Sequence, residues 1–245
     1  MRVTRFFVLL TALLSPHLWA ANVGVTPVAI HMGGEVNRAT VSVVNHGTEP
    51  VTMQAETIVW TRVNGVDEYG DTSHVMVNPA VFTIEPGASQ IVRVGLRQRN
   101  EQAVEATYRL VLREVPVALA GAQSEGSAVR VLVAMRLPIY VAPDQVVQDQ
   151  QWRVQESGDS VQVSLQNDGN VHYKVGGIRM LSNAAEAGSP ALASSNEGAV
   201  LFPGESRTFA LQRSSDGVLP DQPAVLEVFT DRGPEYIPVV LDEVK

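Results

Sequence analysis

The sequence predicts an all-β protein with two β-sandwich domains. Short runs in which apolar and polar residues alternate recur along the chain, and turn residues separate them about every ten residues, a spacing typical of a β-sandwich. The pattern begins again after a polar stretch near residue 145. A mature chain of roughly 225 residues is long enough for two medium-sized domains with their own cores.

Seven strands are predicted in the first half. They cover 22–32, 39–44, 51–60, 81–84, 90–96, 108–115 and 129–141. The strand 51–60 follows the turn 45–50 directly, so we predict that it forms a hairpin with 39–44. Pro86-Gly87 predicts a further turn, and the small and polar residues 118–127 predict a loop.

The second half repeats this layout without repeating the residues. After a linker over 145–151, strands are predicted over 161–165, 171–181, 208–212, 224–230 and 236–241. Turns at 167–170 and 201–204 correspond to the Asn-Gly and Pro-Gly turns of the first half, and 182–196 predicts a second loop. The shared order predicts two domains, over 21–143 and 144–245.

The first twenty residues have the layout of a secretory signal peptide. Two arginines precede the apolar run 6–14, and 18–20 offers a small-residue cleavage site. The alternative, a buried N-terminal helix, is disfavoured because Pro16 would break it. We therefore predict a signal peptide over 1–20 and, because no later apolar segment is long enough to span a bilayer, no stable membrane anchor.

Charge argues against nucleic acid as a partner. The chain carries a net charge of −8 at pH 7, and removing residues 1–20 takes away two arginines and no acidic residue, which leaves −10. Nucleic acid phosphates repel such a chain unless its cations cluster, and they do not.

Residue patterns that would indicate catalysis or a cofactor are missing. There is no cysteine, which excludes disulfides, thiol catalysis and cysteine-based metal sites. The histidines are not paired at metal-ligand spacing, and His46 and His172 lie beside turns, where a solvated side chain is expected. No nucleophile elbow or phosphate-binding loop occurs. We therefore expect no enzymatic activity, no cofactor and no metal.

One strand is unusually apolar. Val129, Val131, Val133 and Met135 form an unbroken apolar row on one face, and the other face is mixed. Such a strand is either a central strand of the core or an edge strand that lends its apolar row to a partner by adding to the partner's sheet. The residues alone leave both interpretations open.

Three motifs follow one another in the first half. They are P-x-x-F-x-I-x-P-G-x-x-Q-x-V-R-V from residue 79, Y-R-L-x-x-R-E-x-P from residue 108, and L-P-I-Y-V-A-P over 137–143. In order and spacing they resemble the periplasmic chaperones of the chaperone–usher pathway, which assemble pili. The resemblance covers most of 22–143 and is weaker in the second half, where it rests on 161–181 and the turn 201–204.

The resemblance implies two immunoglobulin-like domains set at an angle, with a pilus subunit bound along the first. The subunit is an incomplete sandwich, and a long strand of the chaperone fills its open groove. By position, Val129, Val131 and Val133 would fill the groove, with Met135 next in the row. The implied partners are pilus or fimbrial subunits and the outer-membrane usher that receives them, in the periplasm, and release requires no nucleotide.

The resemblance also implies a cationic anchor for the C-terminal carboxylate of the subunit. Familiar members use one cation on the first strand and one on the seventh, but the matching part of the first strand carries no charge here. An archaic or alternative branch of the family is therefore the better match. Arg136 is expected to bind the carboxylate with help from Arg109 or Arg113. The alternative is that these arginines form ion pairs within the chain, for example with Glu105 or Glu114.

Two other functions are weaker alternatives. A cell-envelope adhesin or sugar-binding module would need an exposed aromatic platform, of which Trp60, Trp152 and the scattered tyrosines give little sign. A secreted hydrolase would need a nucleophile and a base, which the sequence lacks. A subunit-binding chaperone accounts best for the apolar strand.

Overall fold

Every regular element that the structure describes is a β-strand. The computed structural model describes residues 23–98, 101–116, 132–157, 159–182, 190–214 and 224–242. These residues form strands connected by turns and loops, so the all-β prediction is confirmed. In these ranges no helix is long and apolar enough to cross a membrane.

The first half of the described chain forms two sheets. Its strands are β1 (Val23–Thr26), β2 (Ile30–Gly33), β3 (Arg38–Asn45), β4 (Val51–Val63), β5 (Val66–Asp71), β6 (Val75–Asn78), β7 (Val81–Ile84), β8 (Ser89–Leu96), β9 (Ala106–Glu114) and β10 (Ala134–Ala142). One sheet has the order β1-β3-β8-β6, and the other has the order β2-β10-β9-β4-β5, with β7 also paired to β4. A hydrophobic core lies between the sheets and includes the fully buried Met53, Leu110 and Ile139.

The second half forms another sandwich. Its strands are β11 (Gln150–Ser157), β12 (Ser160–Asn167), β13 (Tyr173–Val175), β14 (Gly177–Leu181), β15 (Ala193–Ser195), β16 (Ala199–Leu201), β17 (Ser206–Arg213), β18 (Ala224–Thr230), β19 (Gly233–Val239) and β20 (Leu241–Asp242). Eight strands follow the order β19-β18-β14-β15-β17-β12-β11-β20, and β13 pairs with β16. They enclose a second core around Leu165, Tyr173 and Phe209.

Alternating polarity accounts for these strands. In β12, Val161, Val163 and Leu165 are fully buried, while the residues between them are half-buried, as the two faces of a strand require. Burying such a side chain contributes about 1.5–3 kcal/mol. The two cores therefore stabilise the fold of a chain that has no cysteine.

The predicted hairpin between 39–44 and 51–60 is wrong. β3 pairs with β1 and β8, whereas β4 pairs with β5, β7 and β9 in the opposite sheet. The connecting turn is an arch between the sheets, because the buried Asn45 side chain donates hydrogen bonds to the carbonyl oxygens of Glu49 (2.7 Å) and Ile84 (3.0 Å). These bonds direct the chain across the core.

Other predicted boundaries also shift. The predicted strand 171–181 is divided into β13 and β14, because the chain changes partner strand at Gly176: β13 pairs with β16, whereas β14 pairs with β18. The Gly176 N–H already donates to the carbonyl oxygen of Phe229 in β18 (2.6 Å). β11 begins inside the predicted linker 145–151. β15 lies inside the predicted loop 182–196, of which 183–189 are outside the described residues.

The two predicted Pro-Gly turns are confirmed. Gly87 and Gly204 have φ angles of +72° and +82°, which glycine adopts without steric cost. The predicted loop 118–127 and signal peptide 1–20 lie outside the described residues.

Candidate functional site

The C-terminal part of the predicted strand 129–141 is observed as β10. The face of β10 that continues the apolar row packs in the core. The buried members of that face are Leu137, Ile139 and Val141. Met135 packs against the same core, and Val133, just before the strand, is half-buried. Val129 and Val131 lie outside the described residues. Val133, Met135 and the buried residues of β10 are thus parts of one apolar face.

Hydrogen bonds tie Val133 to the end of β9. The Glu114 N–H donates to the Val133 carbonyl oxygen (2.8 Å), and the Val133 N–H donates to Oε2 of Glu114 (3.3 Å). The Glu114 residue is only 9% exposed. The chain therefore enters β10 at a defined position relative to β9.

β10 is paired along most of its length on one side only. β9 pairs with it from Ala134 to Val141, whereas β2 pairs with it only from Ile139 to Ala142. Among the described residues, no strand covers the second side of 134–138. The backbone groups of such an edge can pair with a strand from another chain.

The three predicted cationic anchors, Arg109, Arg113 and Arg136, lie on the outer face of the same sheet, on β9 and β10. Arg113 forms an ion pair with Glu56, with 2.5 Å between Nη1 and Oε1, and its side chain is 47% exposed. The charge of Arg113 is therefore already paired within the chain.

The other two arginines stack on neighbouring aromatic rings. The Arg109 guanidinium carbon lies 3.5 Å from the Trp60 ring centroid, and that of Arg136 lies 5.5 Å from the Tyr69 ring centroid. Trp60 and Tyr69 are cross-strand partners in β4 and β5. The Nε of Arg109 is buried and has no hydrogen-bond partner among the described residues. Stacking on a ring leaves guanidinium N–H groups for an anion.

Arg62 joins this face to the second sandwich. Its Nε donates to Oδ1 of Asp67 (2.7 Å), and its Nη1 donates to Oε2 of Glu205 (2.9 Å) and to the Val200 carbonyl oxygen (2.8 Å). Burial opposes ionisation of Asp67, but the hydrogen bond from Arg62 and the charges of Arg62 and Arg109 outweigh it and lower the pKa of Asp67. An anion at Arg109 would therefore have an ionised carboxylate nearby, which weakens its binding.

A buried pair joins the two sandwiches beside this face. The rings of Tyr140 and His172 stack with centroids 3.5 Å apart. Oε2 of Glu105 lies 2.7 Å from Nδ1 of His172 and accepts the His172 backbone N–H (2.9 Å). The His172 and Glu105 side chains are only 8% and 4% exposed, so the expectation that His172 is solvated is wrong. Burial raises the pKa of Tyr140 to about 12.

Sequence patterns do not predict most of these contacts, because the aromatic rings and acidic residues that form them come from strands far apart in the chain. One local signal is Trp60, an apolar residue on the face of β4 that also carries Gln54 and Glu56. It is only 2% exposed. An apolar residue on a polar strand face indicates that another part of the molecule covers that position.

Known proteins resemble the chain in both halves. Residues 22–147 match the family model of pili and flagellar-assembly chaperones, PapD N-terminal domain. No curated protein sequence matches the chain significantly.

Solved structures of chaperones share the fold. The chain is similar to the chaperone–tip adhesion subunit pre-assembly complex CsuC–CsuE from archaic Csu pili of Acinetobacter baumannii, with 16% identity, a TM-score of 0.57, and coverage of 91% of this chain and 100% of that one. The E. coli chaperone DraB is 15% identical, with a TM-score of 0.58 and coverage of 91% of this chain and 97% of that one. The complex of Salmonella enterica SafA pilin with the SafB chaperone matches with 14% identity, a TM-score of 0.57, and coverage of 89% of this chain and 97% of that one. The prediction of two immunoglobulin-like sandwiches is thereby confirmed.

Proposed function

Since the chain belongs to the PapD-like family of pili and flagellar-assembly chaperones, we propose that it caps a pilus subunit with the apolar row Val129, Val131, Val133 and Met135 and delivers that subunit to an outer-membrane usher. Members of this family are chaperones and not enzymes. The proposal includes export to the periplasm by a signal peptide over 1–20, with domains over 21–143 and 144–245.

The half-paired edge of β10 carries this proposal. Residues 134–138 have a free side among the described strands, and Met135, the last residue of the apolar row, packs against the core. A subunit that lacks a strand would pair with this edge and take Val129, Val131 and Val133 into its groove. The CsuC–CsuE and SafA–SafB structures are complexes of a chaperone with a subunit, which supports a partner of the same kind.

The strength of the apolar row suits a complex that must later release its subunit. Burying one valine contributes about 1.5 kcal/mol. Val129, Val131 and Val133 would then contribute roughly 5 kcal/mol before the cost of association is subtracted. Because association costs about 4–15 kcal/mol, the row holds the subunit only together with backbone pairing and the carboxylate anchor, and a hold of this kind can be released without a nucleotide.

For the C-terminal carboxylate of the subunit, the geometry favours Arg109 and Arg136 over Arg113. The first two stack on aromatic rings, whereas Arg113 is paired with Glu56. A carboxylate between two guanidinium groups accepts charge-assisted hydrogen bonds, which are about twice as strong as neutral ones.

Co-expression of the chaperone with a subunit from its pilus gene cluster tests the donor row. Val133→Asp and Met135→Asp should abolish the soluble complex, because each puts a charge into an apolar groove. Ala134→Asp is the matched control, since Ala134 is an exposed neighbour on the opposite face, and it should retain the complex. Circular dichroism checks that each variant is folded. Normal complex formation by Val133→Asp and Met135→Asp would contradict the proposal.

A further inference from the structure

Pro138 interrupts the row of backbone N–H donors along the open side of β10. The Glu114 N–H donates to the Val133 carbonyl oxygen (2.8 Å). Along an antiparallel pair, the backbone N–H and C=O groups of successive residues point alternately toward the partner strand and away from it. The backbone groups of every second residue from Val133 therefore point toward β9. The residues between them, Ala134, Arg136 and Pro138, direct their backbone groups to the open side.

The contact with β2 gives the same alternation at the other end of the strand. A Cβ atom placed on Gly33 would lie 2.5 Å from the oxygen and 2.8 Å from the nitrogen of Ala142, so these backbone groups point toward β2. Pro138 is four residues earlier and faces the same side, but β2 does not extend to it. Because proline has no N–H, the open part of β10, residues 134–138, offers N–H groups only from Ala134 and Arg136.

We propose that Pro138 sets the end of the subunit interface: an extended strand of a pilus subunit pairs with Ala134 and Arg136 and stops at Pro138. This inference rests on the proposed function. The occupant is a subunit strand because the open edge adjoins Met135, which continues the row that the subunit groove would take. Pro138 lies opposite Arg109 in β9. Strand pairing therefore stops beside Arg109, one of the residues proposed to bind the C-terminal carboxylate of the subunit.

Ending the ladder at Pro138 keeps the complex releasable. One backbone hydrogen bond changes a dissociation rate by roughly 2- to 12-fold, and two N–H donors hold a strand less tightly than three. The competing role for Pro138 is protection of an exposed edge against pairing between copies of this chain.

Variants that add or remove one edge N–H test the inference. Pro138→Ala adds a donor and should slow release of a bound subunit by roughly 2- to 12-fold, whereas Ala134→Pro removes one and should speed release by the same factor. Both backbone nitrogens face away from β9, so its ladder stays intact. Ala134→Ser keeps the N–H and serves as the matched control. Release is measured from labelled complexes in an excess of unlabelled chaperone.

Amide hydrogen exchange gives a second measurement. The Arg136 amide should gain protection when the subunit binds. Wild-type release rates for both Pro138→Ala and Ala134→Pro, or equal exchange of the Arg136 amide with and without subunit, would overturn the inference. Self-association of Pro138→Ala without a change in release would assign Pro138 to edge protection and overturn it too.

Val133→Asp separates this inference from the proposed function. If Val133→Asp abolishes the complex while the edge variants release normally, the donor row stands and the role of Pro138 falls. If Val133→Asp binds the subunit normally, the proposed function itself falls.

Discussion

Asn45 and Asn167 make the same hydrogen bonds in the two sandwiches. Both are fully buried, and each side-chain amide donates to the carbonyl oxygen four residues later and to a carbonyl oxygen shortly before the Pro-Gly turn. Each Oδ1 accepts the N–H of the glycine two residues later. The carbonyl acceptors are those of Glu49 and Ile84 for Asn45, and those of Val171 and Leu201 for Asn167. One side chain therefore holds the arch and the turn together in each half.

Replacing Asn45 or Asn167 with alanine should destabilise its own sandwich by about 2–4 kcal/mol, since in each case two buried or partly buried carbonyl groups lose their donor. Urea unfolding followed by tryptophan fluorescence measures the loss, because Trp60 lies in the first sandwich and Trp152 in the second. The exposed Asn37 gives the control, and Asn37→Ala should change stability by less than about 0.5 kcal/mol. Wild-type unfolding midpoints for both buried-site variants would show that this network adds no net stability.

Local patterns were sufficient for much of the fold and for the turns. Alternating polarity predicts β12 and β17 because one face of each strand is buried. The same alternation does not specify which sheet a strand joins, and this explains the wrong hairpin. The buried contact of Asn45 with Ile84, 39 residues away, distinguishes an arch from a hairpin, and this contact depends on tertiary structure.

The contacts of Arg109, Arg113 and Arg136 on the outer face of the sheet show a second limit of sequence patterns. All three arginines are visible in the sequence, but their partners are set by strand register: Arg113 meets Glu56, and Arg109 meets Trp60, across long stretches of chain. His172 likewise meets Glu105, 67 residues away. Spacing along the chain carries no information about such pairs.

The arginines should differ in their effect on subunit binding. Arg109→Ala and Arg136→Ala should each weaken binding of a pilus subunit about tenfold, because each removes a charge-assisted donor. Arg113→Ala should change the dissociation constant less than about twofold, because Arg113 is partly exposed and pairs with Glu56. Isothermal titration calorimetry with purified subunit measures these constants.

A subunit with two added C-terminal glycines tests whether Arg109 and Arg136 act on the carboxylate. The extension moves the carboxylate away from its site, so wild type and the Arg109→Ala variant should then bind almost equally. A tenfold difference that persists with the extended subunit would show that these arginines contact another part of it.

Arg62 should couple the two sandwiches. Arg62→Ala leaves Asp67 and Glu205 without their shared cation and should lower stability by about 2 kcal/mol. Small-angle X-ray scattering should show a wider distribution of shapes for this variant. The control is Arg207→Ala, which breaks the exposed pair of Arg207 with Glu197 inside the second sandwich and should leave the scattering curve unchanged. An identical curve for Arg62→Ala would contradict a role in holding the domains together.

His31 belongs to the ring stack between the two sandwiches. Its ring centroid lies 5.4 Å from that of Tyr140 and 5.9 Å from that of His172. A change in its charge would therefore act directly at the contact between the domains.

Burial lowers the pKa of His31 below its ordinary value of 6.5, and the charges of His172 and Lys174 lower it further, against the opposite effects of Asp231 and Glu105. The folded state thus favours the neutral ring. This stabilisation is fully present above pH 6.5 and is lost as the pH falls from 6.5 through the folded-state pKa. His31→Gln, which stays neutral, should reduce the drop in melting temperature between about pH 7.5 and about pH 5. An NMR titration that gives His31 a pKa above 6.5, or an equal drop for wild type and variant, would contradict this prediction.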